Sequence, residues 1–174
     1  MWCQFRDHLV KAPQGSSLNM SKIDIRVDDL RGSEIIGLLQ AHLDHMRAIS
    51  PPESVHALDL DALRKSDITF WTMWQDDTLI GCGALRELDP LHGEIKSMHT
   101  PQAMRGNGYG RLMVTHVLDE ARRRGYKRLS LETGATDDFI AARSLYAAFG
   151  FQTCPPFGNY FEDPFSTCMT LELE

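Results

Sequence analysis

A glycine-rich segment between a predicted strand and a predicted helix has the composition of a phosphate-binding loop. It covers residues 104–111 and carries glycine at every second position, at Gly106, Gly108 and Gly110. Glycine permits the tight turns that leave backbone N–H groups bare. The helix that follows would add its own unpaired N–H groups and the positive end of its dipole. A loop of this kind at a helix N-terminus binds phosphate.

The spacing of these glycines excludes two common nucleotide-binding motifs. The dinucleotide fingerprint G-x-G-x-x-G would need its third glycine at Arg111. The Walker loop needs Gly-Lys-Ser/Thr, which the segment lacks. The pattern that remains is R-x-x-G-x-G from Arg105 to Gly110. Taken alone, this hexapeptide is equally compatible with a phosphate loop and with a glycine-rich surface turn.

A second segment, residues 140–151, predicts a helix with one apolar face. Four residues share that face by i, i+3, i+4, i+7 spacing: Ala142, Leu145, Tyr146 and Phe149. Gly150 is placed to end the helix, and Phe151 would begin the next strand. A buried strand, Arg128 to Glu132, is predicted between the glycine loop and this helix.

Together the two segments resemble the GNAT superfamily of acyl-CoA-dependent N-acyltransferases. R-x-x-G-x-G resembles the family's pyrophosphate loop, and A-x-x-L-Y-x-x-x-G-F from Ala142 to Phe151 resembles the signature that closes its acyl-CoA site. The resemblance extends from about Ile23 to the C-terminus and is tightest from Glu94 to Phe151. Phe139 departs from the pattern, because many members carry Asn at that position.

The resemblance implies an N-acetyltransferase that uses acetyl-CoA as co-substrate. The acetyl group would pass directly to a primary amine of a small molecule or amino-acid-like acceptor, in a ternary complex. Two alternatives stay open: a non-catalytic module that binds and senses acyl-CoA, and a protein N-acetyltransferase. Because the fold does not fix the substrate, the acceptor is not identified at this point.

Two side chains are candidates for catalysis by this resemblance. Tyr146 matches the family's tyrosine, and its phenol, with an ordinary pKa of about 10, can protonate or hydrogen-bond a leaving thiolate. Glu94 stands eleven residues before Arg105, the spacing of the catalytic glutamate in histone-acetylating members. The alternative for Glu94 is a strand-edge carboxylate that faces water. His99 and Glu132 are further candidates for the base, and many relatives use a water chain instead.

The resemblance also suggests which residues hold the co-substrate. In relatives the strand before the loop splays at a bulge, which frees N–H groups for the thioester and the pantetheine arm. By position, Met98, His99 and Thr100 would follow that arm. The other candidate cofactor-binding residues are Arg105, Gly106, Asn107, Gly108, Tyr109, Gly110, Arg111 and Arg143.

The acceptor is expected beyond the thioester. Residues 50–58 resemble a feature of a bacterial small-molecule subgroup, in which Glu53 would hold an ammonium group and His56 would orient it. Tyr160 would wall the pocket, and Glu132 would lie close to it. For each of these residues, a capping or surface role is at least as compatible with the sequence.

Composition limits the other functional classes. The chain has 174 residues, is 43% hydrophobic and carries a net charge of −6, as expected for one domain with its own core. The negative charge argues against a nucleic-acid partner, and the basic residues of 122–128 are interpreted as a solvated helix end. No run is long and apolar enough to cross a membrane.

The remaining ligand-type residues indicate no metal and a cytoplasmic protein. The four cysteines show no C-x-x-C spacing, so we expect reduced thiols, with Cys82 as a small core residue. His42 and His45 lack an evident third metal ligand and are interpreted as a polar helix face. Residues 1–19 are interpreted as an extension or a misassigned start, with a single domain at residues 20–174.

The order of the predicted elements indicates an α/β (α+β) fold. We expect a GNAT-like mixed, twisted central sheet of about six or seven strands flanked by helices. A homodimer that pairs through sheet edges is compatible with the resemblance. The first helix is predicted to begin at Ser33 as its N-cap and the helix after the glycine loop at Arg111. The remaining elements are predicted at Ile23 to Val27, Asp59 to Lys65, Ile68 to Trp74, Thr78 to Leu88, Glu94 to Thr100, Phe151 to Cys154 and Ser166 to Leu173.

Overall fold

The structure, a computed structural model, describes residues 22–54 and 59–174. The extension predicted at residues 1–19 and the candidate acceptor residue His56 lie outside these ranges, and the side chain of Glu53 is not described. The strands are β1 (Ile23–Val27), β2 (Ile68–Gln75), β3 (Thr78–Asp89), β4 (His92–His99), β5 (Arg128–Gly134), β6 (Gln152–Thr153) and β7 (Ser166–Glu172). The α-helices are α1 (Ser33–Ile49), α2 (Leu60–Leu63), α3 (Tyr109–Arg123) and α4 (Ile140–Ala147).

The strands form one seven-stranded sheet in the order β1-β2-β3-β4-β5-β7-β6. All neighbouring strands are antiparallel except β4 and β5, which are parallel and are connected through α3. The predicted α/β class, with a mixed sheet of six or seven strands flanked by helices, is therefore confirmed. None of the helices in the described ranges has the length and apolar composition needed to cross a bilayer.

Helices cover both faces of the sheet and create two cores. Helices α3 and α4 pack on one face, where Val114, Val117 and Leu131 are fully enclosed. Helices α1 and α2 pack on the other face against β2 and β3. Cys82 is buried in this second core, which confirms its predicted role as a small core residue.

Two predicted helix starts differ from the structure for local reasons. Ser33 is the first residue of α1 and not its N-cap, and its hydroxyl donates to the Glu34 carboxylate at 3.0 Å. Helix α3 begins at Tyr109, two residues before the predicted Arg111, because the left-handed residue Gly108 directly precedes it. Helix α2 starts as expected, with its first turn capped by the Asp59 carboxylate.

A bulge in β4 interrupts the sheet beside its parallel neighbour. In the pairing with β3, Cys82 lies opposite His99 and Ala84 lies opposite Lys96, so two β4 residues fill the space opposite one β3 residue. Ser97, inside the bulge, has a φ of 51°. Pairing between β4 and β5 ends at Ile95 and Leu131, although both strands continue beyond that point. The bulge and splay that the resemblance implies are therefore present.

A glycine in β4 gives a test of the packing beneath this region. A Cβ on Gly93 would lie 2.8 Å from side-chain atoms of Leu129 and Tyr126. We expect Gly93→Ala to overpack the core and to lower the free energy of unfolding by about 1–3 kcal/mol. The measurement is urea unfolding with linear extrapolation.

The matched control is Gly37→Ala. Gly37 lies on the exposed side of α1, and a Cβ there would have no neighbour within 4 Å. Alanine should therefore raise the free energy of unfolding by about 1 kcal/mol through its helix propensity. Equal stabilities for the two variants would contradict the close packing around Gly93.

Candidate active site

A cavity of about 510 Å³ opens where β4 and β5 separate. Its walls come from the second half of α1, the end of β4, the glycine loop with the start of α3, the end of β5, and α4. The volume lies within the range that small-molecule sites occupy, about 300–1,000 Å³. The cavity therefore joins the two motifs that are far apart in the sequence.

The glycine loop has the open backbone shape that the predicted phosphate cradle requires. Gly106 and Gly108 both have a φ of +82°, and a Cβ on either would meet no atom within 4 Å, so open space lies beside both residues. Gly108 caps α3 without any side-chain hydrogen bond, which leaves the first N–H groups of the helix available to a ligand. Gly110 has a different role, because its missing Cβ lets α3 approach Leu145 of α4.

Polar contacts within the loop fix its shape. Asn107 does not line the cavity, and its amide donates to the carbonyl oxygens of Met104 at 3.0 Å and Arg105 at 3.3 Å. The guanidinium of Arg105 donates to the Thr100 carbonyl at 3.2 Å. The hydroxyl of Tyr109 donates to Gln75 of β2 at 2.7 Å, a contact that no sequence motif indicates.

The two arginines assigned to the cofactor take different positions. Arg111 lines the cavity with its guanidinium over the Phe149 ring, 5.0 Å from the centroid. Arg143 does not line the cavity and donates to the carbonyls of Gly134 at 2.6 Å and Thr136 at 2.9 Å. Arg143 thus anchors the segment that follows β5, and its contact with a cofactor stays a prediction.

Phe139 also belongs to the cavity wall. Its ring lies against Gly134, where any Cβ would overlap it. The residue that departs from the family pattern is therefore accommodated by a glycine on β5.

Tyr146 reaches the cavity from α4. The side chain is buried, and its ring contacts Phe151 edge-on with centroids 5.7 Å apart. Within the part of the chain that the structure describes, the hydroxyl has no hydrogen-bond partner. Burial raises the pKa of this phenol well above its ordinary value, so it stays protonated at neutral pH. The site therefore presents a buried proton donor without a protein acceptor.

Glu94 is enclosed and does not line the cavity. Its carboxylate is 1% exposed, accepts a hydrogen bond from the Tyr160 hydroxyl at 2.6 Å and lies 3.2 Å from the Lys96 ammonium. Arg86 adds a longer contact at 3.8 Å. The alternative of a strand-edge carboxylate facing water is therefore wrong. Lys96, which the sequence analysis overlooked, lines the cavity and also donates to the Tyr160 oxygen.

Glu132 and Tyr160 lie close to this ion pair. Glu132 follows the last residue of β5 that pairs with β4, lines the cavity and accepts a hydrogen bond from the Ser166 hydroxyl at 2.7 Å. Burial, followed by the charges of Glu94 and Glu132, raises the pKa of the Tyr160 phenol. Tyr160 does not line the cavity, so it positions Glu94 and Lys96 instead of walling the pocket.

Three histidines line the cavity, two of them in contact with each other. The rings of His42 on α1 and His99 on β4 lie 4.5 Å apart, with His45 one turn further along α1. Burial is the main cause that lowers the pKa of His42 to about 4 and that of His99 to about 3, with the neighbouring histidines and Arg105 contributing. His42 is thus part of the cavity and not simply part of a polar helix face. Across residues 22–54 and 59–174, no three His, Cys, Asp or Glu side chains are placed to hold a metal ion.

Comparison with known proteins shows which family the sequence resembles. The sequence model described as the Acetyltransferase (GNAT) family matches residues 34–151. The chain is 52% identical over 149 residues to the uncharacterized N-acetyltransferase YsnE of Bacillus subtilis, a match that covers 86% of this chain and 99% of the relative. It is 36% identical over 141 residues to the IAA acetyltransferase of Azospirillum brasilense, covering 80% and 90% respectively.

Solved structures share the fold. A Bacillus subtilis acetyltransferase in complex with CoA matches with a TM-score of 0.66 at 20% identity, over 88% of this chain and 100% of the other.

The glycine loop yields a direct test of phosphate binding. Gly108→Asp places a carboxylate in the cradle, where it repels phosphate and displaces about two charge-assisted hydrogen bonds. At about 1.5–3 kcal/mol for each bond, CoA affinity should fall at least ~100-fold. Calorimetric titration with CoA measures this change.

The control is Gly125→Asp, at the opposite end of α3. Gly125 has a φ of +81° and open space for a Cβ, so this variant introduces the same backbone strain and the same charge away from the cradle. CoA affinity should be unchanged in the control. An equal loss in both variants would mean that strain, and not the phosphate cradle, controls binding.

Proposed function

Because the chain belongs to the GNAT family of acetyltransferases and is an acetyl-CoA-dependent N-acetyltransferase, we propose that its acceptor is a primary amine of a small molecule or amino-acid-like compound. Transfer would be direct, with both substrates bound together. The observation that carries this proposal is the protonated hydroxyl of Tyr146, which has no hydrogen-bond partner among the described residues and shares one cavity with the glycine loop and the open end of β4.

The cavity has groups suited to each part of acetyl-CoA. The N–H groups of Gly106, Gly108 and Tyr109 would receive the pyrophosphate, since none of the described residues occupies the Cβ position of either glycine. The edge of β4 from Met98 to Thr100, which β5 leaves unpaired, would receive the amides of the pantetheine arm. When bound, acetyl-CoA supplies an acetyl thioester beside the gap between these strands.

We assign the proton donor for the leaving sulfur to Tyr146. A phenol whose pKa is raised by burial holds its proton until negative charge develops nearby. It can then hydrogen-bond or protonate the departing thiolate, which general-acid catalysis requires. Because the hydroxyl forms no bond elsewhere in the described ranges, it needs to break none in order to act.

For the proton acceptor we prefer Glu132 over Glu94. The Glu94 carboxylate is enclosed by Lys96 and Tyr160 and would have to exchange both partners to act as a base. Glu132 is at the cavity wall, where its carboxylate accepts a hydrogen bond from the Ser166 hydroxyl. A negative charge at this position favours an ammonium group and can remove its proton directly or through water.

We also propose a single domain at residues 20–174, a cytoplasmic location and a homodimer. Free thiols at Cys82, Cys154 and Cys168 support the reducing compartment. A non-catalytic sensing role is set aside, because the family and the 52%-identical relative are N-acetyltransferases.

The test of the proposed function is an acceptor screen. Purified protein is incubated with acetyl-CoA and a panel of primary amines, amino acids and IAA, and free thiol release is measured. We expect release with at least one primary amine, accompanied by an acetylated product in mass spectrometry. Tight CoA binding without turnover on any amine would contradict the proposed acceptor class.

Tyr146 provides a second test, which needs an active acceptor from the screen. Tyr146→Phe should lower kcat by ~100-fold, as expected for loss of a general acid, with little change in acetyl-CoA affinity. Tyr126→Phe is the matched control, since it removes another buried tyrosine hydroxyl, one bonded to Glu87 at 3.1 Å and remote from the cavity. If both variants keep wild-type turnover, the proton on sulfur comes from solvent.

A further inference from the structure

The α1 side of the cavity carries a cluster of nitrogen donors to which no role has been assigned. His42 and His99 lie in ring contact at 4.5 Å, and Arg105 and His45 line the same part of the cavity. The side chain of His99 projects toward α1, whereas its neighbour Met98 packs into the core beneath α3. Strand alternation thus allows the β4 backbone to bind the pantetheine arm while the His99 imidazole faces the acceptor side of the cavity.

One atom in this cluster lacks a partner. Nδ1 of His42 is buried and has no hydrogen-bond partner among the described residues. A buried polar atom left in this state costs about 1–3 kcal/mol, which a hydrogen bond would offset. Both imidazoles are neutral at pH 7, because burial and the neighbouring cationic groups lower their pKa values to about 4 and about 3. A bound anion would reverse this effect and stabilise their protonated, donating forms.

The charged side chains that line the cavity favour one wall of it for an anion. The Lys96 ammonium is already paired with Glu94 at 3.2 Å and bonded to Tyr160, so little of its charge is left for a ligand. Glu132, on the β5 side, repels anions and favours cations. The cavity therefore has a cation-binding wall on β5 and an anion-binding wall on α1 and β4, as a molecule with both charges requires.

We propose that His42, His99 and Arg105 form an oxyanion subsite that binds the carboxylate of the acceptor, which is therefore an amino acid. This inference rests on the proposed N-acetyltransferase function and specifies its substrate class. The amino group then lies toward Glu132. Met46 and Ile49 line the same wall of the cavity, so an apolar side chain suits the acceptor.

The same oxyanion chemistry is present in the pyrophosphate of the co-substrate, and Arg105 begins the glycine loop. A carboxylate from the acceptor and a pyrophosphate from the co-substrate would have different kinetic effects. A carboxylate subsite affects only acceptors that carry a carboxylate, whereas a pyrophosphate contact affects acetyl-CoA with every acceptor.

The kinetic experiment uses matched pairs of acceptors: L-phenylalanine with 2-phenylethylamine, L-leucine with 3-methylbutylamine, and L-tryptophan with tryptamine. The variant is His42→Phe, which keeps a ring against His99. We expect KM for the amino acids to rise at least ~30-fold, through loss of a charge-assisted hydrogen bond, while KM for the decarboxylated amines and for acetyl-CoA stays constant. His42→Gln, which keeps a hydrogen-bonding group, should recover part of the loss.

The control variant is His116→Phe. His116 is a half-buried histidine on α3 whose ring contacts Trp71 edge-on at 5.1 Å, and burial lowers its pKa, but it does not line the cavity. The His116→Phe variant should leave all KM values unchanged. Three outcomes would overturn the carboxylate assignment: a raised KM for acetyl-CoA alone, equal effects on both members of each pair, and a wild-type enzyme that prefers the decarboxylated amines.

A binding readout separates this inference from the proposed function. L-phenylalanine is titrated into the protein saturated with CoA, at pH 5.5, in buffers of different ionisation enthalpy. A carboxylate beside His42 and His99 should cause net proton uptake and tighter binding as pH falls from 7 toward 5. His45 and Arg105 are the other charged or titratable groups that act on the pair, while Lys96 and Glu132 line the same cavity. The His42→Phe variant distinguishes their contribution.

Amino-acid binding with proton uptake but no acetylation would leave the subsite standing and refute the proposed transfer to amines. Acetylation of amines without proton uptake, in wild type and variant alike, would leave the function standing and refute the subsite.

Discussion

The candidate active site depends on one interruption of the central sheet, the separation of β4 from β5. The two strands pair up to Ile95 and Leu131 and then diverge, while the bulge at Ser97 redirects β4. Backbone N–H and C=O groups beyond this point have lost the ladder partners that strand interiors normally supply, and such groups need replacements when they are enclosed. An extended molecule lying in the gap can replace the missing strand. We therefore interpret the gap as the channel for the acetyl-CoA of the proposed reaction.

The same interruption separates two glutamates that a simple alternation pattern treats alike. Glu94 lies in the paired part of β4 and is buried, so its charge requires close compensation from Lys96 and Tyr160. Glu132 lies just past the last residue of β5 that pairs with β4, where the cavity opens. One carboxylate is thus enclosed in the scaffold, and the other lies at the cavity wall.

Local patterns were sufficient for most of the fold and for the open shape of the glycine loop. The bounds of β1 and, within one residue, of the β2–β3 hairpin follow from periodicity and turn residues, whereas α2 is shorter than the predicted Asp59 to Lys65. The orientation of Glu94 and the inclusion of His42 could not be predicted in this way. Both depend on which segments pack against β4, the Tyr160 segment over Glu94 and α1 over His99, and such packing is a tertiary property. Lys96 and Gln75 carry no motif, and only their contacts identify them.

The contact between Phe139 and Gly134 links two positions on different elements. The ring occupies the volume that any Cβ on Gly134 would need. The two positions therefore cannot be substituted independently. A side chain at 134 requires a smaller residue at 139, and a bulky ring at 139 requires glycine at 134. Among relatives, the two positions should change in concert, so that an Asn-bearing lineage tolerates larger residues at the end of β5 while a Phe-bearing lineage does not. A departure from the family pattern at position 139 should therefore be accompanied by a correlated change at position 134.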